Sequence, residues 1–199
     1  RDKKSATYKL ALFRALAELA QTRPNLGRFT GDGHVLVPVA AVAEKWILYY
    51  WPLLESSVFL PQQNGEHPGG PRPIAVRTAL TPLVDAFGDS GGFQAFAAAL
   101  ETGRMPSTAQ PLLTEAERRI RKTIWTMPVK YAGGGEPYSV LQYDRSSKSI
   151  RMRADLWREL CLTGSWIADA TILRWAELTH RLSGNTIPVS QVVDCLLTV

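Results

Sequence analysis

From Ser5 to about Thr22, the residues Tyr8, Leu12, Ala15, Leu16 and Leu19 fall on one stripe at i, i+4, i+7, i+8 and i+11. That spacing predicts an amphipathic helix. Arg23-Pro24 ends it, because proline cannot continue a helix and disfavours helical dihedrals before it. Val35-Leu36-Val37 is a short strand or an apolar loop, and Val39 to Leu54 is a strongly apolar second helix ending in Tyr49-Tyr50-Trp51-Pro52. Residues 61–73 hold four prolines and three glycines, which marks a loop. Thr81-Pro82 has the form of an N-cap with proline at the first helical position, opening a short helix through Phe87. Phe93 to Thr102 is another helix, with Gly103 placed to cap it.

Residues 103–113 have the character of a linker. Thr114-Glu115-Ala116-Glu117 is a capping box, so a helix is expected to begin there and to stop before Pro128. Val140–Tyr143 and Ser149–Met152 flank the polar turn Asp144-Arg145-Ser146-Ser147-Lys148, the pattern of a hairpin. Helices over Ala154–Leu162 and Ser165–Leu182 follow, and a last one starts near Ser190. The expected class is mainly α with one β-hairpin (α+β), in two small helical lobes, residues 1–105 and 106–199.

Composition narrows the class further. At 199 residues the chain can bury a full core, and 45% hydrophobic with 21% charged residues argues against wholesale disorder. The longest apolar run, Val35 to Ala43, is too short for a bilayer, and no signal peptide is visible. Cys161 and Cys195 read as reduced, buried thiols of a cytoplasmic protein. The net charge of +5 is unevenly spread. Residues 1–28 carry +5 and residues 114–153 another +5, whereas 29–113 carry −3 and 154–199 carry −2. Two basic blocks on neutral-to-acidic scaffold suit a polyanion, or are simply solvated faces.

The search for catalytic chemistry returns nothing on this chain. Gly88-Asp89-Ser90-Gly91-Gly92 spells the loop around a serine-protease nucleophile, but its helical surroundings read as a glycine-rich helix–helix turn. The three histidines, two cysteines and scattered carboxylates have no metal-ligand spacing. His180 sits near Asp169, Glu177 and Arg181 on a polar helix side, as a solvated or ion-paired residue.

Cations interleaved with aromatics carry the binding signal. On the Thr114 helix, Ala116, Ile120 and Ile124 form one face, opposite Arg118, Arg119, Arg121 and Lys122, with Trp125 inside the basic arc. Such cations neutralise phosphates while an indole stacks on a base; the alternative is that Trp125 packs against the other lobe. Lys9 falls inside the apolar arc of the first helix and must snorkel to the rim or meet an anion. With Arg1, Lys3 and Lys4 it gathers four cations at a helix start, which favours phosphate. Tyr49, Tyr50 and Trp51 point 100° apart on a helix, so one or two of them are expected to line a surface, an interface or a pocket, such as the wall of a modified-base site. Gln62, in the triplet Gln62-Gln63-Asn64, has the amide chemistry that pairs with adenine edges, or is plain loop chemistry. Trp166 and Leu173, seven apart on a charged helix face, point to a partner lobe or a homodimer.

Several segments resemble the N-terminal region of prokaryotic HNH endonuclease domain proteins of the restriction or defence type. They are Lys4-Ser5-Ala6-Thr7-Tyr8-Lys9-Leu10-Ala11-Leu12, Glu44-Lys45-Trp46-Ile47-Leu48-Tyr49-Tyr50-Trp51-Pro52, Pro61-Gln62, Leu156-Trp157-Arg158-Glu159-Leu160, Gly164-Ser165-Trp166-Ile167-Ala168-Asp169 and Leu173-Arg174-Trp175-Ala176-Glu177-Leu178. The resemblance implies a DNA-recognition lobe of such a nuclease, with the HNH unit and its divalent metal expected after Val199 and no cofactor on this chain. The alternative is a protein-interaction or dimerisation module.

Overall fold

The computed structural model describes residues 6–132 and 139–199. These form seven α-helices and one four-stranded antiparallel sheet, so the class is mainly α with a small β component. The helices are α1 (Tyr8–Thr22), α2 (Val39–Glu55), α3 (Ala75–Phe87), α4 (Gly92–Thr102), α5 (Gln110–Ile124), α6 (Ala154–Leu182) and α7 (Val189–Leu197). The strands β1 (Arg28–Phe29), β2 (His34–Pro38), β3 (Gln142–Asp144) and β4 (Ser149–Arg153) lie in the order β1-β2-β4-β3. No helix among the described residues is long and apolar enough to cross a membrane.

Two compact units interleave along the chain. One gathers Tyr8–Trp46 and Arg121–Trp175; the other gathers Ile47–Ile120 and Ala176–Val199, with Ala6 and Thr7. Counted over described residues, the first carries fourteen basic and seven acidic side chains, the second six and nine. We call them the basic and the acidic unit.

In the basic unit, the expected stripe of α1 is buried at Tyr8, Leu12, Ala15, Leu16 and Leu19. Val35 pairs with Met152 and Val37 with Ile150 across β2 and β4, and all four are buried. The alternate residues make a row across the sheet, Arg28–Leu36–Arg151–Gln142. Strand alternation therefore separates an apolar face from one that carries cations. The hairpin turn is held by Asp144, whose carboxylate accepts from the Ser146 amide at 2.9 Å and from the Ser146 and Ser147 hydroxyls at 2.7 and 2.8 Å. Those hydroxyls, with the turn amides, hold the Asp144 carboxyl down at about 2.

In the acidic unit, aromatic rings fill the core. Trp51 stacks on Phe96 with centroids 4.2 Å apart and meets Phe87 edge-on at 5.8 Å. The Thr7 and Tyr50 hydroxyls hydrogen bond at 2.8 Å. Glu66 is buried and organises the proline-rich loop: it accepts from the Gln62 amide at 2.6 Å, the Ile74 amide at 3.0 Å and Arg77 Nε at 2.7 Å. Gly88-Asp89-Ser90-Gly91-Gly92 is a turn between α3 and α4, with φ of 102° at Gly91 and 57° at Gly92. Both values lie in the left-handed region that favours glycine.

Four expected boundaries move, each for a local reason. α3 starts at Ala75, seven positions before Pro82, which lies inside it. Proline leaves the carbonyl four residues back without its helical donor, and Arg119 Nη1 donates to that carbonyl, Thr78 O, at 3.1 Å. α5 starts at Gln110, so Thr114 is interior and its hydroxyl bonds back to Gln110 O at 3.0 Å; it caps nothing. The same helix does not stop short of Pro128 but widens into a π-turn, Trp125–Val129. The wider turn accommodates a ring that would clash with the Ile124 carbonyl in α geometry. The two helices expected at 154–162 and 165–182 are one, α6. Gly164 is not a break: a Cβ there would come within 2.6 Å of Ala17 O, so glycine permits the close approach of α6 to α1.

Candidate nucleic-acid interface

Trp125 is the first residue of the π-turn. It leaves α5 half-buried and stacks on Tyr143 of β3, with ring centroids 5.2 Å apart and planes 12° from parallel. Arg145, in the adjacent hairpin turn, places its guanidinium 5.9 Å from the indole centroid. That is cation–π range, with the charged group over the ring and at an exposed residue. Lys122, one turn earlier, and Lys148, at φ 51° on the hairpin turn, are exposed. Past the π-turn, Tyr131 is 49% exposed, with Lys130 Nζ 5.6 Å from its ring centroid. Met127 and Val140 are exposed as well.

On the outer sheet face, Arg151 is held in place. Its Nη2 donates to Asp32 Oδ2 at 2.5 Å and to His34 Nδ1 at 3.1 Å, and its Nη1 to Gln142 Oε1 at 3.4 Å. The Thr30 hydroxyl, donating at 2.5 Å, is the largest influence holding Asp32 down at about 2, with Arg151 next. Arg153 pairs with Asp155. Arg28 is exposed at the other end of the row.

The residues singled out in the sequence scatter. Lys4 lies outside the described residues. Lys9 is half-buried on α1, and the buried cation of that helix is Arg14, which the periodicity did not flag. Arg14 Nε donates to Glu18 at 2.7 Å, and Lys45 Nζ meets the other Glu18 oxygen at 2.9 Å. Arg118 donates through both Nε and Nη2 to Glu115 at 2.7 Å, which raises its own pKa and lowers that of Glu115. Arg121 is half-buried. The apolar face of α5 falls where the spacing put it: Ala116, Ile120 and Ile124 are fully buried.

Two expectations are corrected. Tyr49, Tyr50 and Trp51 are all fully buried, so none lines a pocket wall open to a base. Helical spacing of 100° spreads these rings around α2, but α2 has no solvent side at those positions. Gln62 is also buried; its amide donates to Leu60 O and Thr179 Oγ1, both at 3.4 Å, so it is not placed to read a base edge. Two smaller points follow. Cys161 and Cys195 are free but only half-buried, with burial the largest influence pushing each thiol up. His180 donates Nδ1–H to Ile187 O at 2.7 Å, closing the turn between α6 and α7.

Among the described residues no three His, Cys, Asp or Glu side chains gather as metal ligands.

Fold and surface together define an α+β domain whose antiparallel sheet and π-turn carry a cation–aromatic surface. The chain belongs to the family described as Domain of unknown function (DUF8808), whose model matches residues 1–196. No curated protein and no solved structure matches it.

Proposed function

We propose that this chain is a DNA-binding module, the recognition lobe of an HNH-type endonuclease acting in restriction or phage defence in the cytoplasm. The observation that supports the reading most is the concentration of cations in one unit, fourteen basic against seven acidic. There a half-buried indole, Trp125, sits beside Arg145 on the surface. Compared with a helix-borne site, the contacts shift from Arg118 and Arg119, which are engaged within the protein, to Lys122, Trp125 and the hairpin.

Binding of labelled DNA at low salt, followed as salt is raised, tests the proposal. Log K is expected to fall linearly with log salt, with a slope of about 0.9 per phosphate neutralised on duplex DNA and about 0.7 on a single strand. Absence of binding to both duplex and single-stranded DNA at low salt removes the reading.

A second reading, a protein-interaction or dimerisation module, is favoured by α6. Leu162 and Trp166 are each 76% exposed there, with Leu173 exposed on the same stripe. Light scattering coupled to size exclusion, on the wild type and on Trp166→Glu, separates it from the first. A dimer that the substitution abolishes, with no DNA binding, supports the second reading.

A further inference from the structure

Resting on the DNA-binding reading, we infer that the surface formed by the π-turn and the hairpin takes an unpaired DNA strand in preference to a duplex. In a duplex the base faces are stacked on one another, and a protein reaches only phosphates and groove edges. Reading a major groove calls for a helix that presents unengaged donors to base edges. α5 is the basic helix here, and two of its four cations, Arg118 and Arg119, are already engaged within the protein. Arg118 donates through Nε and Nη2 to Glu115, and Arg119 donates to the Thr78 carbonyl left by Pro82.

What the basic unit does expose is ring surface beside cations. Trp125 and Tyr143 form a parallel pair that is only half-buried, with Arg145 5.9 Å from the indole. Tyr131, half exposed, follows on the same stretch of chain with Lys130 over its ring. Lys122 and Lys148 supply exposed ammonium groups on the π-turn and hairpin sides. Rings that alternate with cations are the chemistry of single-strand binding: bases stack on the rings without regard to sequence, while the cations follow the backbone. A duplex would leave the rings without a partner.

The test uses the full chain and two fluorescein-labelled probes at low salt: an oligothymidylate of about twelve nucleotides, and a blunt dA·dT duplex of the same length. The single strand is expected to bind on the order of tenfold tighter. Tyr131→Ala and Arg145→Gln, both at exposed positions, are each expected to weaken single-strand binding several-fold and to leave the far-ultraviolet circular dichroism unchanged. Trp125→Phe is expected to retain more affinity than Trp125→Ala, since a ring remains. Duplex binding equal to or tighter than single-strand binding overturns the inference while leaving DNA binding intact. So does single-strand binding that both exposed variants leave unchanged. If neither probe binds, the DNA-binding reading falls with it.

Discussion

The π-turn and hairpin of the basic unit put aromatic residues to the opposite use from the acidic unit, although Tyr8, Trp46, Trp157 and Trp175 elsewhere in the basic unit are buried. In the acidic unit, Trp51 is enclosed by Phe96, Phe87 and Phe93, and Tyr49 and Tyr50 beside it are equally buried. In the basic unit, Trp125, Tyr131 and Tyr143 stay at the surface among Lys122, Lys130, Arg145 and Lys148. An aromatic ring is pulled into the core when apolar neighbours cover all its sides, since burying it removes up to about 150–250 Å² of ring surface from water. Rings with cations for neighbours keep a wet edge, because sealing them in would strip water from the charges as well. Ring count therefore says little about a binding site. What surrounds each ring says more.

The largest expected effect strikes the acidic unit. Trp51→Ala removes the ring that stacks on Phe96 and is expected to destabilise the fold by about 3–5 kcal/mol, read by chemical denaturation. DNA affinity of the fraction that remains folded should not change. A loss of affinity in that fraction would break the separation between the two units. Next is Gly164→Ala in the basic unit. The new Cβ meets the Ala17 carbonyl, and a backbone atom cannot swing aside. Despite a helix-propensity gain of about 1 kcal/mol, a net loss of about 1–3 kcal/mol is expected from overpacking. A melting temperature at or above the wild type would contradict the close approach.

Binding variants sharpen the comparison on the other side. Arg145→Gln is expected to weaken DNA binding several-fold and to lower the salt slope by a little under one. Arg118→Gln is expected to change neither measurably, because its guanidinium is already engaged by Glu115. The smallest effect concerns acid. Asp32 and Asp144, both in the basic unit, are held at about 2, below the ordinary aspartate range. Depressed carboxylates contribute their stability in full above the ordinary carboxylate range, and that contribution is lost as pH falls toward 2. Proton NMR of the two side chains should show titration midpoints near 2; midpoints near 4 would mean that the Thr30 and Ser146 hydrogen bonds are absent in solution.

Much of the fold was legible because apolar spacing reports burial directly. α1, α2, α4, α7 and the hairpin fall close to where periodicity, Gly103 and the polar turn put them. Misplaced boundaries lie where proline, glycine and Thr-x-x-Glu signals act locally but packing decides: Arg119 supplies a donor where α3 runs through Pro82, and Gly164 lets α6 run on against α1. The interleaving of the units is not written in any local pattern, since it depends on contacts between residues more than a hundred positions apart. At the candidate site, the α5 apolar face was readable, because it follows from helical angles. The pairing of Arg118 with Glu115, the burial of Gln62 and the enclosure of Tyr49–Trp51 were not, since each depends on what packs alongside. Tyr143 and Arg145 were passed over because a hairpin turn carries no periodic signal. Their place next to Trp125 comes from tertiary packing of the hairpin.

One salt titration tests the central claim most directly. Wild type is compared with the triple variant Lys122→Gln, Arg145→Gln, Lys148→Gln, using the labelled oligothymidylate, with folding checked by circular dichroism. The account predicts tight wild-type binding at low salt and a slope of log K against log salt that shrinks by about two in the folded triple variant. An unchanged slope and affinity, or no wild-type binding at all, would contradict it.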